Sequence, residues 1–570
     1  MKLFSLNDVF RPKFFDVLFS KKYTRKLFLS DVIAGIIVGI VAIPLAIAFG
    51  IASGVSPQQG LITAIVAGLV IAIFGGSHVQ IGGPTGAFIV IVFGIISQFG
   101  LNGLLIATVM AGVMLVLMGL FRLGDIIKFM PYPIIVGFTG GIAVVIFSTQ
   151  MKDFFGLTMP EVPSEFIDKW GAYFRYFHTL NPLALSIAIG TVVISLLWKK
   201  VTQKVPGTLI AIIITTVIAY FLKTYWGADI ETIGSKYPEL AGGVALPQPV
   251  APEIDMKAIR LLLQPAFTIA MLGAIESLLS AMVADGVTGK KHHSNTELIG
   301  QGFANIVTPF FGGIPATGAI ARTMTNINNG GKTPVAGIVH AIVLLLIYLF
   351  LMPLAVHIPL SCLAGILVIV AYNMSEWRSF KQMLKNPKAD VAVLLTTFFL
   401  TVIFDLTIAI EIGLLLAVVL FLKRVMETSK ISVIDEEINR SEDPEIEGAM
   451  RESLPKSIVV YEIDGPFFFG LANRFDEVNV QIGSAKTKIR IIRMRKVPFI
   501  DSTGLKNLRN LCEKSKKEKI QIILSGVTPE VYNTLEYAGF VNELGKEFIF
   551  DHIDKAIEKA KLLLENENGE

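Results

Sequence analysis

Long runs of uncharged, apolar residues fill most of this chain. One of them, IIVGIVAIPLAIAFGIASGVSPQQG, covers residues 36–60, and similar runs recur from about residue 31 to about residue 422. Of the 570 residues, 53% are hydrophobic and only 17% are Asp, Glu, Lys or Arg. An average soluble protein has roughly 25% charged residues. A soluble fold could not bury this much apolar surface, so the runs predict a polytopic α-helical membrane domain.

Charge, cysteines and motifs exclude several classes of function. The net charge of +4 resides mainly in short loops, where Lys and Arg set membrane orientation, so no nucleic-acid partner is expected. Cys362 and Cys512 are too few for a disulfide framework or a zinc site. The segment NGGKT at 329–333 resembles a phosphate-binding loop, but Asn326 stands where that motif requires glycine. We therefore predict no enzyme, no ATP-driven pump, no cofactor and no metal.

Membrane spans can be located by length, because a helix needs about 20 apolar residues to cross about 30 Å of hydrocarbon. Lys and Arg cluster in the loops after even-numbered spans, whereas the long loop at 223–259 is rich in Asp and Glu. The pattern predicts a multi-pass protein of the cytoplasmic (inner) membrane with both termini in the cytoplasm. The fourteen predicted spans lie near 31–53, 58–75, 80–98, 102–121, 129–150, 182–198, 206–222, 260–283, 296–312, 315–327, 334–356, 360–376, 389–404 and 406–422.

A faint internal repeat relates the two halves of this domain. FGG at 74–76 precedes PTGA at 84–87, and FGG at 311–313 precedes Pro315 and TGA at 317–319. The shared spacing predicts two inverted repeats of seven spans each, although chance recurrence of small-residue tripeptides is the alternative. The predicted division is a cytoplasmic segment at 1–30, a membrane domain at 31–426, a charged linker at 427–455 and a soluble domain at 456–570. The repeats cover about 31–225 and 256–426.

The two repeated motifs predict a binding site for an anion. We expect Pro84 and Pro315 in the first turns of two short helices, whose unpaired amides would then point from opposite sides at one place. Two helix N-termini concentrate positive potential there. The alternative is that these glycines only allow close helix packing. Arg322, four residues after Gly318, is expected on the same helical face, where it adds positive charge or pairs with an acidic group elsewhere.

Glu276 lies in the middle of a span, where a carboxylate costs free energy unless it is protonated or paired. Ser280 is four residues further on, so one face of this span is polar. The pattern favours a carboxylate that carries a proton or holds a sodium ion, and a structural partner for Arg322 is the alternative. In the next span three polar residues recur every four positions and predict an interhelical hydrogen-bonding face, namely Glu297, Gln301 and Asn305.

The last part of the chain alternates between strand-like and helical segments, which predicts a small α/β domain. SIVVYEIDGPFFF, KIRIIRMRKV and IQIILSGV favour strands, while STGLKNLRNLCEKSKKEK and TPEVYNTLEYAGF favour helices. Asp501, Ser502 and Thr503 lie between a strand and a helix, as expected of an N-cap. Ser502 or Thr503 could also accept a phosphate there, but the plain cap is the preferred interpretation.

Several of these segments together resemble the sulfate permease (SulP) family of anion transporters over essentially the whole chain. They are GGPTGAF at 82–88, LGAIESLLSAMVADGVTG at 272–289, the long motif at 295–323 and the DSTG of a C-terminal STAS domain. The resemblance implies core and gate subdomains, an anion bound between spans 3 and 10, elevator-like motion, and a homodimer whose STAS domain could bind a cytosolic protein. The binding residues that it implies are Phe49, Thr85, Gly86, Ala87, Phe88, Gly318, Ala319 and Ile320, with Glu276 and Ser280 for cation coupling. Arg322 is added to the binding residues because it is expected on the helical face of Gly318.

The sequence of the motif around Glu276 looks most like that of bacterial members that carry C4-dicarboxylates together with protons. Other members resemble sodium-coupled bicarbonate carriers, some with Asp at the Glu276 position and Thr at the Ile320 position. Ile320 offers no side-chain oxygen, which weakens the case for sodium. Family membership fixes neither the anion (C4-dicarboxylate, sulfate or bicarbonate) nor the coupling ion. An uncoupled exchanger or channel, in which Glu276 only stabilises the bundle, is the other functional class.

Overall fold

The computed structural model describes residues 9–18, 23–127, 130–160, 162–163, 165–201, 206–238, 240, 249, 256–404, 406–434, 454–455, 457–469 and 487–568. The chain forms two compact units, Met1–Ala417 and Val418–Glu570. The first unit is helical apart from two very short strands, β1 (Gly82–Gly83) and β2 (Thr317–Gly318), among its described residues.

Eighteen α-helices are described from the start of the chain to the beginning of the second unit. The last of them begins in the first unit and ends in the second. In chain order they are α1 (Lys13–Leu18), α2 (Arg25–Ala52), α3 (Pro57–Phe74), α4 (Phe88–Leu120), α5 (Gly124–Ile127), α6 (Tyr132–Phe155), α7 (Phe166–Tyr176), α8 (Pro182–Val201), α9 (Gly207–Trp226), α10 (Ile233–Lys236), α11 (Met256–Thr288), α12 (Ser294–Val307), α13 (Ile320–Asn328), α14 (Val335–Ala355), α15 (Leu360–Met374), α16 (Trp377–Met383), α17 (Lys388–Ile403) and α18 (Leu406–Thr428).

Local chemistry fixes where several of these helices begin, bend and end. Ser56 and Gln59 form a capping box that starts α3, with the Ser56 amide donating to Gln59 Oε1 at 3.0 Å. Gly156 ends α6 in the left-handed conformation at φ 61°. Gly100, at φ 68°, breaks α4 at the place where the sequence predicts one span to end and the next to begin.

Eight helices within the described residues are long and apolar enough to cross a bilayer, and α7 with α8, bent by 117°, would make a ninth span. The helices α12 and α13 have 14 and 9 residues, too few to cross a bilayer alone. The sequence-based number of fourteen spans includes these short segments and stays a prediction.

The long helices of the first unit pack as two groups. The first bundle contains α2, α3, α4, α11, α12, α13 and α14, and the second bundle contains α6, α8, α9, α15 and α17. Small residues bring backbones together inside the first bundle, where a side chain at Gly60 of α3 would overlap the Ala46 carbonyl oxygen of α2. The core and gate subdomains that the family resemblance implies stay a prediction for these two bundles.

The second unit contains a four-stranded sheet in the order β3 (Lys430–Ile434), β4 (Ile458–Asp464), β5 (Ile489–Lys496) and β6 (Gln521–Ser525). β3 is antiparallel to β4, and the remaining pairs are parallel. The helices beside the sheet are α19 (Ser502–Lys517), α20 (Pro529–Tyr537), α21 (Phe540–Leu544) and α22 (Ile553–Asn568).

Apolar side chains cover both faces of this sheet. α19, α20 and α21 pack with Ile492 and Leu524, whereas α22 packs with Ile491 and Ile523 on the opposite face. The predicted strands and helices of the α/β domain are therefore confirmed. β3 lies at the start of the segment predicted as linker, and residues 435–453 of that segment lie outside the described residues.

The close approach of α2 and α3 predicts that Gly60→Ala destabilises the protein. The new methyl group would meet the Ala46 backbone, which cannot rotate away as a side chain could. We expect the free energy of unfolding to fall by about 1–3 kcal/mol, as at other overpacked sites. A lower melting temperature of the purified protein would measure this loss. Gly190→Ala in α8 is the matched control, since open space surrounds Gly190. Equal melting temperatures for the two variants would contradict the packing argument.

Candidate functional site

The two repeated motifs meet where β1 pairs with β2. Gly82 lies opposite Gly318 and Gly83 lies opposite Thr317 in an antiparallel pair. One more backbone hydrogen bond extends the pairing, from the Ala319 amide to the Ile81 carbonyl at 2.9 Å. Both segments belong to the first bundle, and they bring the starts of α4 and α13 together as the sequence predicts.

The prolines do not occupy the positions expected from the sequence. Pro84 and Pro315 were expected in the first helical turns, but α4 begins at Phe88 and α13 at Ile320. Both prolines lie in non-helical backbone beside β1 and β2, where strand pairing satisfies part of the backbone, and Gly86 and Ala87 form a turn before α4. The helix N-termini are therefore formed by residues three to five positions after each proline.

Backbone amides without a hydrogen-bond acceptor lie at the N-termini of α4 and α13. Among the described residues, the amides of Gly86 and Ala87 before α4 have no hydrogen-bond acceptor, and neither have the amides of Ile320 and Ala321 in α13. Such unpaired N–H groups, together with the helix dipoles, form a site for a negatively charged ligand. Ala87 and Ala319 are buried, whereas Ile320 is 37% exposed.

Glu276 of α11 lies directly beside this pair of helix ends. The Thr85 hydroxyl donates to Glu276 Oε2 at 2.8 Å. Thr85 is thus the described partner of Glu276, which the sequence did not predict. Ser280, one turn further on, donates to Thr323 Oγ1 at 3.4 Å, and this contact joins α11 to α13.

Aromatic and aliphatic side chains enclose the start of α4. A side chain at Gly86 would meet Met374 Sδ, Ile146 Cδ1 and Phe49 Cε1 at 3.1–3.5 Å. Phe49 belongs to the first bundle, whereas the other two residues belong to α15 and α6 of the second bundle. The buried ring of Phe88 approaches Gly273 on α11. The site therefore lies where the two bundles face each other, with polar backbone on one side and apolar side chains on the other.

Arg322 does not lie where the sequence argument put it. Gly318 is part of β2, so the four-residue helical spacing between Gly318 and Arg322 does not exist, and that prediction is wrong. The Arg322 guanidinium is only 2% exposed, lies against Gly83 and donates from Nη2 to the Pro84 carbonyl at 3.2 Å. It contributes positive charge from behind β1, and it forms no ion pair with a described residue.

A buried carboxylate that sequence reasoning assigned only to helix contact also supports the site. Glu297 is fully buried and accepts five hydrogen bonds. Its Oε2 accepts from the amides of Gly76 and Ser77 at 2.8 and 3.0 Å, and its Oε1 accepts from Gln80 Nε2 at 2.9 Å. The remaining two donors are Ser277 and Gln301. Glu297 thereby anchors the segment that enters β1.

Asn305, two turns after Glu297 on α12, anchors the segment that enters β2. Its Nδ2 donates to the Ala316 carbonyl at 2.8 Å, and its Oδ1 accepts from the Ala316 amide at 2.9 Å. The regular spacing of Glu297 and Asn305 was the sequence signal for these contacts, but it could not show that they reach extended segments as well as helices.

The candidate phosphate acceptors lie in the second unit, at the start of α19. The Asp501 carboxylate accepts from the Gly504 amide at 2.7 Å, which confirms the predicted N-cap. Ser502 and Thr503 are exposed.

Comparison with known proteins identifies relatives over nearly the whole chain. The Sulfate permease family model matches residues 28–397, and the STAS domain model matches residues 453–556. The chain is 45% identical to YvdB of Bacillus subtilis (strain 168), whose name assigns it provisionally to sulfate transport, over 94% of this chain and 98% of that protein. It is 30% identical to the bicarbonate transporter BicA of a Picosynechococcus species, over 84% of this chain and 85% of BicA.

Solved structures with the same architecture include a transporter and a separate membrane domain. Murine Slc26a9, an anion transporter, superposes with a TM-score of 0.86 over 99% of this chain and 96% of its own, at 18% identity. The membrane domain of a cyanobacterial BicA superposes with a TM-score of 0.60 over 70% of this chain and 99% of its own, at 30% identity. The described fold is thus the polytopic helical domain followed by a STAS domain that the sequence predicted.

The anchoring role of Glu297 predicts that even the isosteric Glu297→Gln destabilises the first bundle. An amide nitrogen would have to face donors that now point at a carboxylate oxygen. We expect the free energy of unfolding to fall by roughly 1.5–3 kcal/mol, the range for a hydrogen bond to a charged group. The measurement is the melting temperature of the purified variant, which should be lower. Glu411→Gln on the exposed side of α18 serves as the control. A melting temperature for Glu297→Gln that equals that of the unaltered protein would exclude the anchoring role.

Proposed function

The chain belongs to the sulfate permease family, and on this premise we propose that it moves a small anion across the cytoplasmic membrane by secondary active transport. The family and the relatives named above are transporters and not enzymes. The observation that carries the proposal is the meeting of two helix N-termini at β1 and β2, with free amides at Gly86, Ala87, Ile320 and Ala321.

The proposed substrate is an inorganic oxyanion such as sulfate or bicarbonate. The names of YvdB and BicA support this class. Backbone amides respond to charge more than to the shape of the ligand, since they supply N–H donors without a fixed side-chain geometry. C4-dicarboxylates, which the sequence motif around Glu276 favours, therefore belong in the same assay as competing substrates.

The position of the site supports an elevator-type mechanism of alternating access. Its polar elements, β1, β2 and Glu276, all belong to the first bundle, whereas Ile146 and Met374 belong to the second bundle and present apolar groups. In our proposal the first bundle moves as a body against this apolar wall and carries the anion with it. The hydrogen bonds of Glu297 and Asn305 keep the two helix ends together during that motion.

Glu276 is the proposed coupling residue, and its ion is more plausibly a proton than sodium. A charged carboxylate beside a bound anion repels it, at an effective dielectric of about 20, by roughly 4 kcal/mol at 4 Å. Protonation of Glu276 removes this repulsion, so proton and anion binding reinforce each other. Sodium would need further oxygen ligands, but Ser280 contacts Thr323 and Ile320 has no side-chain oxygen. Uncoupled exchange, with Glu276 only stabilising Thr85, is the remaining candidate.

For the second unit we propose a regulatory or assembly role in a homodimer, with a cytosolic protein as a candidate partner. Phosphorylation of Ser502 or Thr503 is less well supported than the plain cap. The Asp501 carboxylate already occupies the helix N-terminus, and a phosphate there would add charge of the same sign.

The backbone site predicts different outcomes for Gly318→Leu and Thr85→Ala. A leucine at position 318 would displace the buried side-chain amide of Gln80 from Ser277 and Glu297 beside the strand pair, so we expect saturable binding of sulfate and bicarbonate to disappear. Thr85→Ala removes one hydroxyl and should weaken binding by roughly tenfold or less. Calorimetry on purified protein measures both, with Gly286→Ala, which has open space around it, as the control. Intact binding in Gly318→Leu would refute the paired helix ends as the site.

The coupling role predicts that Glu276→Gln separates binding from accumulation. This variant imitates the protonated carboxyl group, so it should bind the anion with little dependence on pH and lose accumulation driven by a pH gradient. Uptake into proteoliposomes under imposed pH or sodium gradients measures the loss, and Glu276→Asp, which keeps a titratable group, is the matched control. Undiminished accumulation by Glu276→Gln would rule out coupling at this residue. A strict sodium requirement of the unaltered protein would replace the proton by sodium.

A further inference from the structure

Two neighbouring cavities meet at Lys169, away from the helix ends described above. The smaller has a volume of about 140 Å³ and the larger about 720 Å³, and both are lined by Phe93, Thr149 and Lys169. They lie between the two bundles, near the last turns of α2, whose Ala48 and Ala52 line the smaller cavity. Ala48 is next to Phe49, which approaches Gly86 of the central site. The last turns of α2 thus contribute residues to both the smaller cavity and the central site.

Lys169 occupies a position that its helix would normally give to an apolar residue. α7 buries Lys169 and Tyr173, one turn apart, while its apolar residues Ile167 and Phe174 are 71% and 75% exposed. Only 3% of Lys169 is exposed. A buried ammonium costs free energy unless it is paired, and a break in the hydrophobic pattern of this kind is typical of functional positions.

Neither polar group on this buried face has a partner among the residues that the structure describes. The Tyr173 hydroxyl is buried without a hydrogen bond. The Lys169 ammonium forms no ion pair or side-chain hydrogen bond with a described residue, although the residue is buried. Lys169 therefore presents an ammonium without an acceptor to both cavities, and the Tyr173 hydroxyl lies one helical turn away.

The charges around the smaller cavity favour a negatively charged ligand. Besides Lys169 it is lined by Lys152 and Lys236, against the single carboxylate of Asp153. Lys152 is held in place by donating to the Met159 carbonyl at 3.4 Å. The larger cavity, which Lys169 also lines, adds the carboxylate of Glu165. A volume of about 140 Å³ is several times that needed by one water molecule, so a small oxyanion fits.

We propose that Lys169, with Lys152 and Lys236 at the smaller cavity, forms a second anion site, which captures a small oxyanion before it reaches the paired helix ends. This inference rests on the proposed anion transport but concerns different residues. The site lies at the end of α2 opposite Arg25, which is the outer face if the N-terminal segment is cytoplasmic as its basic residues predict. A higher local concentration of anions at this site raises the rate at which the paired helix ends are loaded when the external anion concentration is low. The later steps of transport are unchanged.

The test compares Lys169→Met with the unaltered protein, using sulfate and bicarbonate as probes. Lys169→Met should raise the half-saturating concentration for uptake into proteoliposomes roughly tenfold, the effect of one charged hydrogen bond, while the maximal rate changes less than about twofold. It should also raise the melting temperature without anion, because an unpaired buried charge is removed, and reduce the rise in melting temperature that added anion produces. Lys223→Met, an exposed lysine of α9 outside both cavities, should change neither quantity.

An unchanged half-saturating concentration in Lys169→Met overturns the second site while leaving the transport proposal intact. A lower melting temperature with unchanged anion response would likewise overturn it, since Lys169 would then be structural. If the unaltered protein shows no gradient-driven uptake but anion still stabilises it in a manner that requires Lys169, the second site stands and the transport proposal fails. The absence of any Lys169-dependent response to either anion also overturns the second site.

Discussion

The antiparallel pairing of β1 with β2 is the interaction on which the site depends. Two residues from each repeat pair within the first bundle, and this pairing allows extended backbone to exist where an unpaired chain would be very costly. It also fixes the starts of α4 and α13 at one place. A side chain at position 318 would displace the Gln80 side-chain amide, which donates to Ser277 and Glu297. The positive potential of the site is therefore a property of the backbone, to which the buried Arg322 adds from behind β1.

Maintaining that backbone pair requires polar groups that never need to touch the anion. Glu297 and Asn305, two turns apart on α12, hold the segments that lead into β1 and β2. Their hydrogen bonds satisfy amides and carbonyls that the short strands leave free. Since all these groups belong to the first bundle, the elevator motion proposed for that bundle against Ile146 and Met374 would leave the site intact.

The sequence predicted the fold well because membrane helices and small α/β domains both leave strong hydrophobic patterns. The repeated FGG and TGA segments also predicted that the starts of two helices would lie at one place. The position of Arg322 was wrong because a helical spacing was applied across β2, which is too short to be visible as a strand in the sequence. Pro84 was placed in a helix for the same reason. The contact of Thr85 with Glu276, and the burial of Lys169 on α7, depend on tertiary packing that local patterns do not contain.

The most direct test of the central claim is hydrogen exchange of the backbone amides, measured by mass spectrometry on the full-length protein with and without anion. Sulfate and bicarbonate are each added at saturating concentration. If the paired helix ends bind the anion, exchange should slow in peptides covering Gly86 and Ala87 and in those covering Ile320 and Ala321, because bound N–H groups become protected. Slower exchange confined to other parts of the chain, with these two segments unchanged under a saturating anion, would contradict the claim.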